Sequence, residues 1–306
     1  MKVVVAGGTG FIGGELVREL EARGDEVVVL TRKARAPEGR VTFVQWTPNR
    51  PGSWTEALRG ADAVVNLVGA GVLDERWSEE RFRTLRESRV EPTRVLAEAI
   101  AALPEKPRVF LSASAVGYYG MRHQDETLDE ASSAGTDKLA QLCVEWEAAA
   151  EPARQAGVRV VHPRIGIVLG KEGGALQKMA PAFKVGLGGP IGCGRQYFPW
   201  IHSRDAIRAL VFAIDSEAVR GPFNVTGPSA VTMNHFSNAL GKTLGRPSFL
   251  RVPSFALKLV MGEMAEVLLT GQRATPKKLN DAGFAFVFPE VECALGELFG
   301  RVKPKS

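Results

Sequence analysis

Cysteine, histidine and tyrosine are scarce in this chain of 306 residues, which holds three cysteines, four histidines and three tyrosines. The cysteines, Cys143, Cys193 and Cys293, lie far apart and form no CxxC pair, and there is no HExxH motif. We therefore expect no disulfide framework and no metal site, and a reducing, cytoplasmic compartment fits this composition. Because no run of 18 apolar residues occurs, we also expect no membrane-spanning helix and no membrane partner.

An excess of one charge is also missing. The 39 basic and 34 acidic residues give a net charge of +5, and the two signs are interspersed. A solvated surface explains this better than a nucleic-acid partner does. The N-terminal MKVVVAGGTGF is broken by glycines and lacks a small-residue cleavage site, which favours a first β-strand over a signal peptide.

Short apolar runs alternate with helical patterns through the first half of the chain. This alternation predicts parallel strands joined by right-handed crossovers. Because the runs are apolar on both faces, we expect helices on both sides, which makes the fold class α/β with a Rossmann-type doubly wound parallel sheet. Strands are predicted at 3–6, 26–30, 41–46, 61–69, 108–114 and 158–170, and long helices at about 79–102 and 136–156.

After about residue 170 the pattern loosens into a segment rich in glycine and aromatic residues, as a pocket lining would be. A smaller C-terminal α+β lobe is predicted for the rest of the chain. We expect a Rossmann domain at 1–170, to which 201–226 returns, and a substrate-side lobe at 171–306 with a small C-terminal domain at about 247–300. Further helices are predicted at 203–217, 232–244, 254–270 and 290–299, and a strand at 221–226.

The stretch GGTGFIG has three glycines at GxxGxxG spacing. It follows a predicted strand and opens a predicted helix, which is the context of a dinucleotide-binding loop. Glycine permits the tight turn and a close approach of the backbone, and the helix N-terminus offers N–H groups and a partial positive charge to a diphosphate. The contacts predicted here are those of Gly7, Thr9, Gly10, Phe11, Ile12 and Gly13.

The end of the second predicted strand indicates which dinucleotide is bound. NAD-binding units usually carry Asp or Glu there for the ribose 2′-hydroxyl, whereas this chain has Thr31, Arg32 and Lys33. A guanidinium forks onto phosphate oxygens and a lysine adds a point charge. The sequence therefore predicts NADP(H) as cofactor. The alternative is that Arg32 and Lys33 are solvated residues at a strand end.

Four further motifs spread over nearly the whole chain: NLVGAGVLDERW (66–77), SAVGYYG (114–120), GLGGPIGCGRQYFPWIH (186–202) and LLTGQRATPKKLNDAGFAFVFPE (268–290). With these motifs the chain resembles the extended short-chain dehydrogenases/reductases, and more narrowly their atypical, epimerase-like YfcH-like subgroup. The resemblance implies a small-molecule substrate, hydride transfer to or from NADP(H), and a possible homodimer through the helices at 79–102 and 136–156. It also implies a C-terminal domain of unknown function.

The resemblance implies several further cofactor contacts. Leu67, Val68 and Gly69, at the end of the fourth strand, would pass beside the cofactor, although the two apolar side chains also suit core packing. Arg89 stands where extended members keep an asparagine and is expected to reach the cofactor. Ser112 and Pro163 complete the predicted set, with Pro163 after the sixth strand near the nicotinamide.

The catalytic Tyr-x-x-x-Lys dyad of this superfamily is absent, because no lysine stands four residues after any of the three tyrosines. The flanking pattern places Asp137 and Gln141 at the dyad positions. Ser114 matches the serine that orients a substrate, and either Tyr118 or Tyr119 is a candidate for a relocated acid/base. The rival interpretation is a non-catalytic NADP(H)-binding redox sensor or partner-binding protein.

Three other polar residues have two interpretations each. Lys138 suits a solvated helix start better than a cofactor contact. His202 suits a capping or packing role better than acid/base catalysis. Arg164 fits an anionic substrate and a structural carboxylate equally well.

Overall fold

A parallel β-sheet forms the centre of the molecule in the computed structural model, which describes residues 1–122 and 125–301. The strands of this sheet are β1 (Lys2–Ala6), β2 (Glu26–Thr31), β3 (Val41–Gln45), β4 (Ala63–Asn66), β5 (Val109–Ser112), β6 (Ser114–Ala115), β8 (Arg159–Ile165) and β12 (Gly221–Val225). Their order is β12-β8-β5-β4-β1-β2-β3, every pair is parallel, and β6 adds to β8. The predicted Rossmann-type sheet is confirmed.

Helices and short strand pairs make up the rest of the described chain. The helices are α1 (Phe11–Ala22), α2 (Glu79–Ala102), α3 (Lys138–Ala148), α4 (Glu151–Gln155), α5 (Ala175–Lys184), α6 (Ser203–Asp215), α7 (Met233–Leu244), α8 (Ser254–Met261), α9 (Ala265–Leu269), α10 (Lys277–Asp281) and α11 (Val291–Leu298). The short strands are β7 (Thr127–Leu128), β9 (Ile167–Leu169), β10 (Tyr197–Phe198), β11 (Trp200–His202), β13 (Val231–Thr232) and β14 (Arg273–Ala274). Short 3₁₀ turns occupy Ser53–Leu58, Val116–Tyr119 and Gly262–Met264.

The sheet is covered on both faces, because alternate side chains along its strands belong to two different apolar cores. In β1, Val3 and Val5 join a core with α1 and α6, whereas Val4 and Ala6 join a core with α2 and α4. β12 adds its own side chains to the first of these cores. Apolar burial on both faces is the main stabilising contribution to a sheet of this kind.

A third core belongs to the smaller C-terminal lobe. It packs α5, α7 and α11 against the short strands β10 and β11 and their neighbours. The lobe is mainly helical, and its short strands pair with one another or with β7. The last five residues of the predicted lobe, 302–306, lie outside the described residues.

Three predicted elements are interrupted in the structure. The helix predicted at 136–156 divides into α3 and α4, because Pro152 lies in the first turn of α4, where proline starts a helix rather than continuing one. The helix predicted at 254–270 breaks at Gly262, whose φ of 63° is left-handed. The strand predicted at 158–170 breaks at Gly166, where a Cβ would stand 2.2 Å from the Pro199 carbonyl oxygen.

No helix in the described ranges 1–122 and 125–301 is long and apolar enough to cross a membrane.

Candidate functional site

A large cavity opens at the carboxyl ends of β1 and β4, where the strand order of the sheet reverses. Ligands of open α/β sheets bind at such a reversal. The cavity volume is about 1500 Å³, above the range usual for small-molecule sites, and it therefore has room for an extended dinucleotide. Among the predicted cofactor residues, its lining includes Gly7, Thr9, Gly10, Thr31, Arg32, Lys33, Leu67, Val68 and Gly69.

The loop between β1 and α1 is shaped by its glycines. Gly7 has a φ of 84°, and a Cβ on it would stand 2.8 Å from the carbonyl carbon of Leu67. A Cβ on Gly13 would stand 2.1 Å from the Gly7 carbonyl oxygen, so α1 starts in direct contact with the loop. The Gly10 N–H donates to that same oxygen at 3.0 Å. The amides of the first turn of α1 have no intrahelical acceptor and suit an anionic group.

The side chains of Phe11 and Ile12 serve packing rather than diphosphate binding. Both pack against the core shared by α1 and α6. The ring of Phe11 also fills the space beside Gly170 and Gly173, where added Cβ atoms would stand 2.4 and 2.5 Å from it. These two residues therefore offer a diphosphate only their backbone amides, and Phe11 packs against the connection into the second lobe.

The end of β2 brings cations to the cavity wall. Thr31 is buried, and its hydroxyl accepts a hydrogen bond from the Lys33 N–H at 3.4 Å. Arg32 and Lys33 are exposed, and the Arg32 carbonyl is held by the Gln45 side-chain amide at 3.2 Å. The Arg32 and Lys33 side chains enter no ion pair within the described part of the chain.

Sequence reasoning missed one wall of the cavity. The residues that follow β3 line it, because β3 lies beside β2 and the carboxyl ends of parallel strands meet at one edge. Trp46 is buried there against the edge of Trp54, at a ring separation of 5.3 Å. In the sequence, the residues that directly follow the third predicted strand could have indicated this wall. The missed residues of this wall are Trp46, Thr47, Pro48 and Asn49.

The end of β4 forms the opposite wall. Leu67 packs into the core with α1 and α6, and Val68 into the core with α2 and α4, so their side chains do serve the packing that sequence analysis left open. Both residues are half-buried and also line the cavity. Asn66 fixes the backbone here, since its amide donates to Thr93 at 2.8 Å and its oxygen accepts from the Val68 N–H at 3.2 Å.

Arg89 lies behind this wall. Its guanidinium donates to the carbonyl oxygens of Ala70 at 2.8 Å and Leu85 at 3.2 Å, and it stacks over Trp146 at 5.2 Å. A Cβ on Gly69 would stand 3.1 Å from its Cζ. Burial lowers the pKa of Arg89. The structure thus gives Arg89 contacts with the loop after β4, through which it would position a cofactor.

Ser112 and Pro163 are both buried at strand positions. Ser112 ends β5, and its hydroxyl has no hydrogen-bond partner among residues 1–122 and 125–301. Pro163 lies within β8 and pairs with Phe223 of β12, so it is not positioned after the strand as expected. Neither is among the residues that line the cavity.

Ser114 belongs to a buried charged cluster. Its hydroxyl donates to Oε1 of Glu147 at 2.7 Å. Arg164 donates to the same carboxylate with Nε at 2.8 Å and Nη2 at 3.0 Å, so the structural pairing is the one observed for Arg164. This forked geometry is the strong form of an arginine–carboxylate pair. The carboxylate and hydrogen bonds to its neighbours hold the pKa of Arg164 above its ordinary value against the opposing effect of burial.

The two tyrosines of the YYG stretch differ in their surroundings. Tyr119 is fully buried; its hydroxyl donates to Asn224 at 2.7 Å and accepts from Arg164 at 3.1 Å. Burial raises the pKa of Tyr119 to about 12. Tyr118 is half-buried, and the Arg164 guanidinium lies 3.4 Å from its ring centroid. The Tyr118 hydroxyl has no hydrogen bond to any residue that the structure describes.

The positions expected for the missing dyad hold structural residues. Asp137 is the N-cap of α3 and accepts from the N–H groups of Leu139 and Ala140 at 3.1 Å each. Gln141 donates to the Gly135 carbonyl at 3.2 Å. Lys138 is exposed and pairs with Glu79 at 2.9 Å, as its solvated interpretation predicts. These side chains are engaged in structural contacts.

His202 has the capping and packing roles that sequence analysis favoured. Its Nδ1 accepts from the Arg204 N–H at 3.0 Å at the start of α6. Its ring stacks on Phe288 with centroids 3.9 Å apart, and its Nε2 lies 3.1 Å from Glu297. Within the described residues, no group of three or more His, Cys, Asp or Glu is arranged to hold a metal ion.

Comparison with known families finds two matches. Residues 3–226 match the NAD dependent epimerase/dehydratase family, and residues 252–298 match a domain of unknown function (DUF1731). An epimerase family protein of Mycobacterium bovis is 45% identical over 295 residues, which cover 96% of this chain and 96% of that protein. The resemblance to the epimerase-like subgroup is thereby confirmed.

Solved structures share the whole architecture. The human epimerase family protein SDR39U1 (isoform 2), crystallised with NADPH, matches with a TM-score of 0.88 and 36% identity over 99% of this chain and 100% of that chain. A nucleoside-diphosphate sugar epimerase of Corynebacterium glutamicum matches with a TM-score of 0.80 and 32% identity, over 98% of this chain and 58% of that chain.

Proposed function

Because this chain belongs to the NAD dependent epimerase/dehydratase family, we propose that it binds NADP(H) in the cavity between β1 and β4. The observation that carries the proposal is the pairing of a glycine loop at Gly7–Gly13 with the exposed cations Arg32 and Lys33 one strand away. The relative crystallised with NADPH supports it.

The residues present fit such a cofactor. A side chain at Gly7 would collide with the Leu67 backbone, so the tight turn of the loop requires glycine there, and the first turn of α1 offers N–H groups to a diphosphate. Arg32 would fork onto the 2′-phosphate, and Lys33 would add charge. The backbone of Leu67 to Gly69 would line the path of the cofactor, with Arg89 supporting the loop from behind.

We further propose that the protein is an oxidoreductase or epimerase acting on a small polar substrate in the cleft between the lobes. Bound NADP(H) supplies or accepts a hydride. Tyr118 is the acid/base candidate, because its hydroxyl makes no other hydrogen bond among the described residues and a guanidinium lies on its ring face. Tyr119 would hold Arg164 in place. Ser114, already donating to Glu147, would offer a substrate only its acceptor lone pairs.

Hydride exchange tests the catalytic part. Labelled NADPH would be incubated with the protein and a broad mixture of metabolites, and transfer of label would be followed. Repeated transfer supports an enzyme. Tyr118→Phe should then bind NADPH normally and abolish transfer, whereas Tyr119→Phe should lower stability and reduce transfer only in proportion to folded protein. Full transfer by Tyr118→Phe would rule out this acid/base assignment.

A second candidate is a non-catalytic NADP(H)-binding sensor or partner-binding protein. The engaged hydroxyls of Ser114 and Tyr119, together with the structural contacts of Asp137 and Gln141 at the dyad positions, favour it. Under this alternative NADPH binds with the same preference, and no label leaves it in any mixture. The two candidates therefore share the cofactor test and differ in hydride exchange.

A homodimer through α2 and the α3–α4 pair remains a prediction. Its support is the long α2 helix of 24 residues, which lies along one side of the sheet. Sedimentation of the purified chain over a range of concentrations would test it, since a monomer at every concentration contradicts it.

A further inference from the structure

Helix α8 is apolar but is not buried. Its sequence, SFALKLVM, has one charged residue, and none of its side chains is buried in the molecule. The exposed fractions are 73% for Phe255, 78% for Leu259 and 73% for Val260. A contiguous patch of exposed apolar side chains often marks an interaction surface, whereas single exposed apolar residues are normal.

The other exposed apolar side chains belong to neighbouring segments. Within the described residues, all seven large apolar side chains that are exposed lie at 185–187 or 249–260. These segments run side by side, since the Val252 N–H donates to the Pro190 carbonyl at 3.0 Å and Gly189 lies against the backbone of Leu250. We call them together the apolar face: Val185, Leu187, Phe249, Leu250, Phe255, Leu259 and Val260.

Positive charge predominates around the apolar face. Residues 173–204 and 221–262 contain no Asp or Glu, although charge is interspersed elsewhere in the chain. Five bases in or beside the face are exposed: Lys184, Lys242, Arg246, Arg251 and Lys258. The nearest acid in contact is Glu266, which pairs with Lys258 at 2.6 Å, and Glu263 follows the end of α8.

This charge pattern selects among possible occupants. A second copy of the chain docked face to face would bring the same bases against one another, and like charges at an interface oppose association. An anionic surface is complementary to them. The apolar side chains protrude from several segments. They therefore suit insertion into a lipid layer better than docking into a complementary groove of a protein.

We propose that the apolar face binds the surface of an anionic lipid bilayer. α8, with eight residues, is too short to span the hydrocarbon layer but suits a position in the interface, with Phe255 and Leu259 among the acyl chains. The bases would contact anionic headgroups, and each such contact strengthens binding about fivefold near the surface. The face lies outside the cofactor cavity, so this interaction is independent of the proposed NADP(H) binding.

Vesicle flotation tests the proposal on the full chain. The protein would be mixed with vesicles of phosphatidylcholine alone or with phosphatidylglycerol. Two double variants would be compared with the wild type. Phe255→Ser with Leu259→Ser removes apolar contact, and Lys184→Glu with Arg246→Glu reverses charge. A matched control, Arg59→Glu with Lys106→Glu, changes net charge equally at exposed positions elsewhere. NADPH binding and the melting temperature report whether each variant folds.

We expect flotation with the anionic vesicles only, weakened by salt. Both test variants should bind the anionic vesicles about tenfold more weakly or worse. The control pair should bind the vesicles like the wild type, and NADPH binding should be unchanged in every variant. Four results would overturn the proposal. The first is no flotation by a folded, NADPH-binding protein, and the second is an equal loss in the control pair. The third is sedimentation as a dimer that Phe255→Ser with Leu259→Ser dissociates, which would assign the face to a second copy. The fourth is saturable binding of an acidic protein without vesicle binding.

Discussion

The hydroxyl of Ser114 donates a hydrogen bond of 2.7 Å to Oε1 of Glu147. The same carboxylate is forked by Arg164, whose side chain is only 3% exposed. One half-buried carboxylate therefore satisfies both a serine that sequence analysis assigned to the substrate and a buried arginine whose role was open. Because the Ser114 hydroxyl already donates to Glu147, its first role is structural. A substrate would contact this hydroxyl only through its acceptor lone pairs.

Replacement of Glu147 by Gln should destabilise the protein strongly. The variant leaves the buried Arg164 guanidinium without its counter-charge, and breaking a buried pair costs about 3 kcal/mol or more. Urea unfolding of both proteins measures the difference. Glu56→Gln is the control, because Glu56 pairs with Arg59 at the surface and such pairs contribute below about 1 kcal/mol. Equal losses in the two variants would contradict the buried-cluster account.

Gly13→Ala and Gly14→Ala should have opposite effects, although the residues are neighbours in α1. An alanine Cβ at Gly13 would stand 2.1 Å from the Gly7 carbonyl oxygen, whereas at Gly14 the nearest atom is 3.7 Å away. Gly13→Ala should therefore shift the loop and weaken NADPH binding about tenfold or more. Gly14→Ala should keep binding and gain up to about 1 kcal/mol from helix propensity. Normal NADPH binding by a stable Gly13→Ala protein would contradict the direct contact of α1 with the loop.

Acid should destabilise the fold through His162. This side chain is almost completely buried, and burial lowers its pKa to about 4. Its Nδ1–H donates to the Ser112 carbonyl at 3.2 Å, and its Nε2 accepts from Arg154 at 3.3 Å, which fixes the neutral tautomer. The unfolded chain, with a pKa near 6.5, takes up the proton first.

The neutral His162 therefore contributes stability that is present above about pH 6.5 and is lost as the pH falls towards 4, by up to about 3 kcal/mol. His162→Gln should flatten the stability–pH curve in this window. The curves come from urea unfolding at each pH, and a slope identical in wild type and His162→Gln would rule out this contribution.

Arg32→Asp should reverse the preference between the two nicotinamide cofactors. The change removes the guanidinium partner of a 2′-phosphate and adds repulsion, so NADPH binding should fall about tenfold to a hundredfold while NADH binding changes little. Fluorescence titration with both cofactors measures this, with Lys106→Asp as a control at a distant exposed position. Equal losses for NADPH and NADH would refute the 2′-phosphate role.

The sheet and the glycine loop after β1 were predictable from sequence because both depend on local patterns. Apolar runs fix the strands, and the glycine spacing of Gly7 to Gly13 stands next to a strand and a helix start. α2 begins and ends where its helical pattern does, since Ser78 caps it by accepting from the Arg81 N–H. Such features need no knowledge of distant residues.

The polar cluster was not predictable, because its members come from separate elements. Glu147 lies 33 residues from Ser114, and Asn224 lies 105 residues from Tyr119. Which tyrosine is buried depends on these distant partners rather than on the YYG sequence. The cavity wall after β3 was missed for the same reason, since strand order brings Trp46 beside Thr31. The position of Arg89 behind Gly69 likewise depends on packing against Trp146.

Direct titration of the purified chain with NADPH and NADH tests the central claim most sharply. The account predicts saturable NADPH binding in the micromolar range, at least about tenfold tighter than NADH binding. Failure to bind NADPH even at millimolar concentration, or equal affinity for the two cofactors, would contradict it.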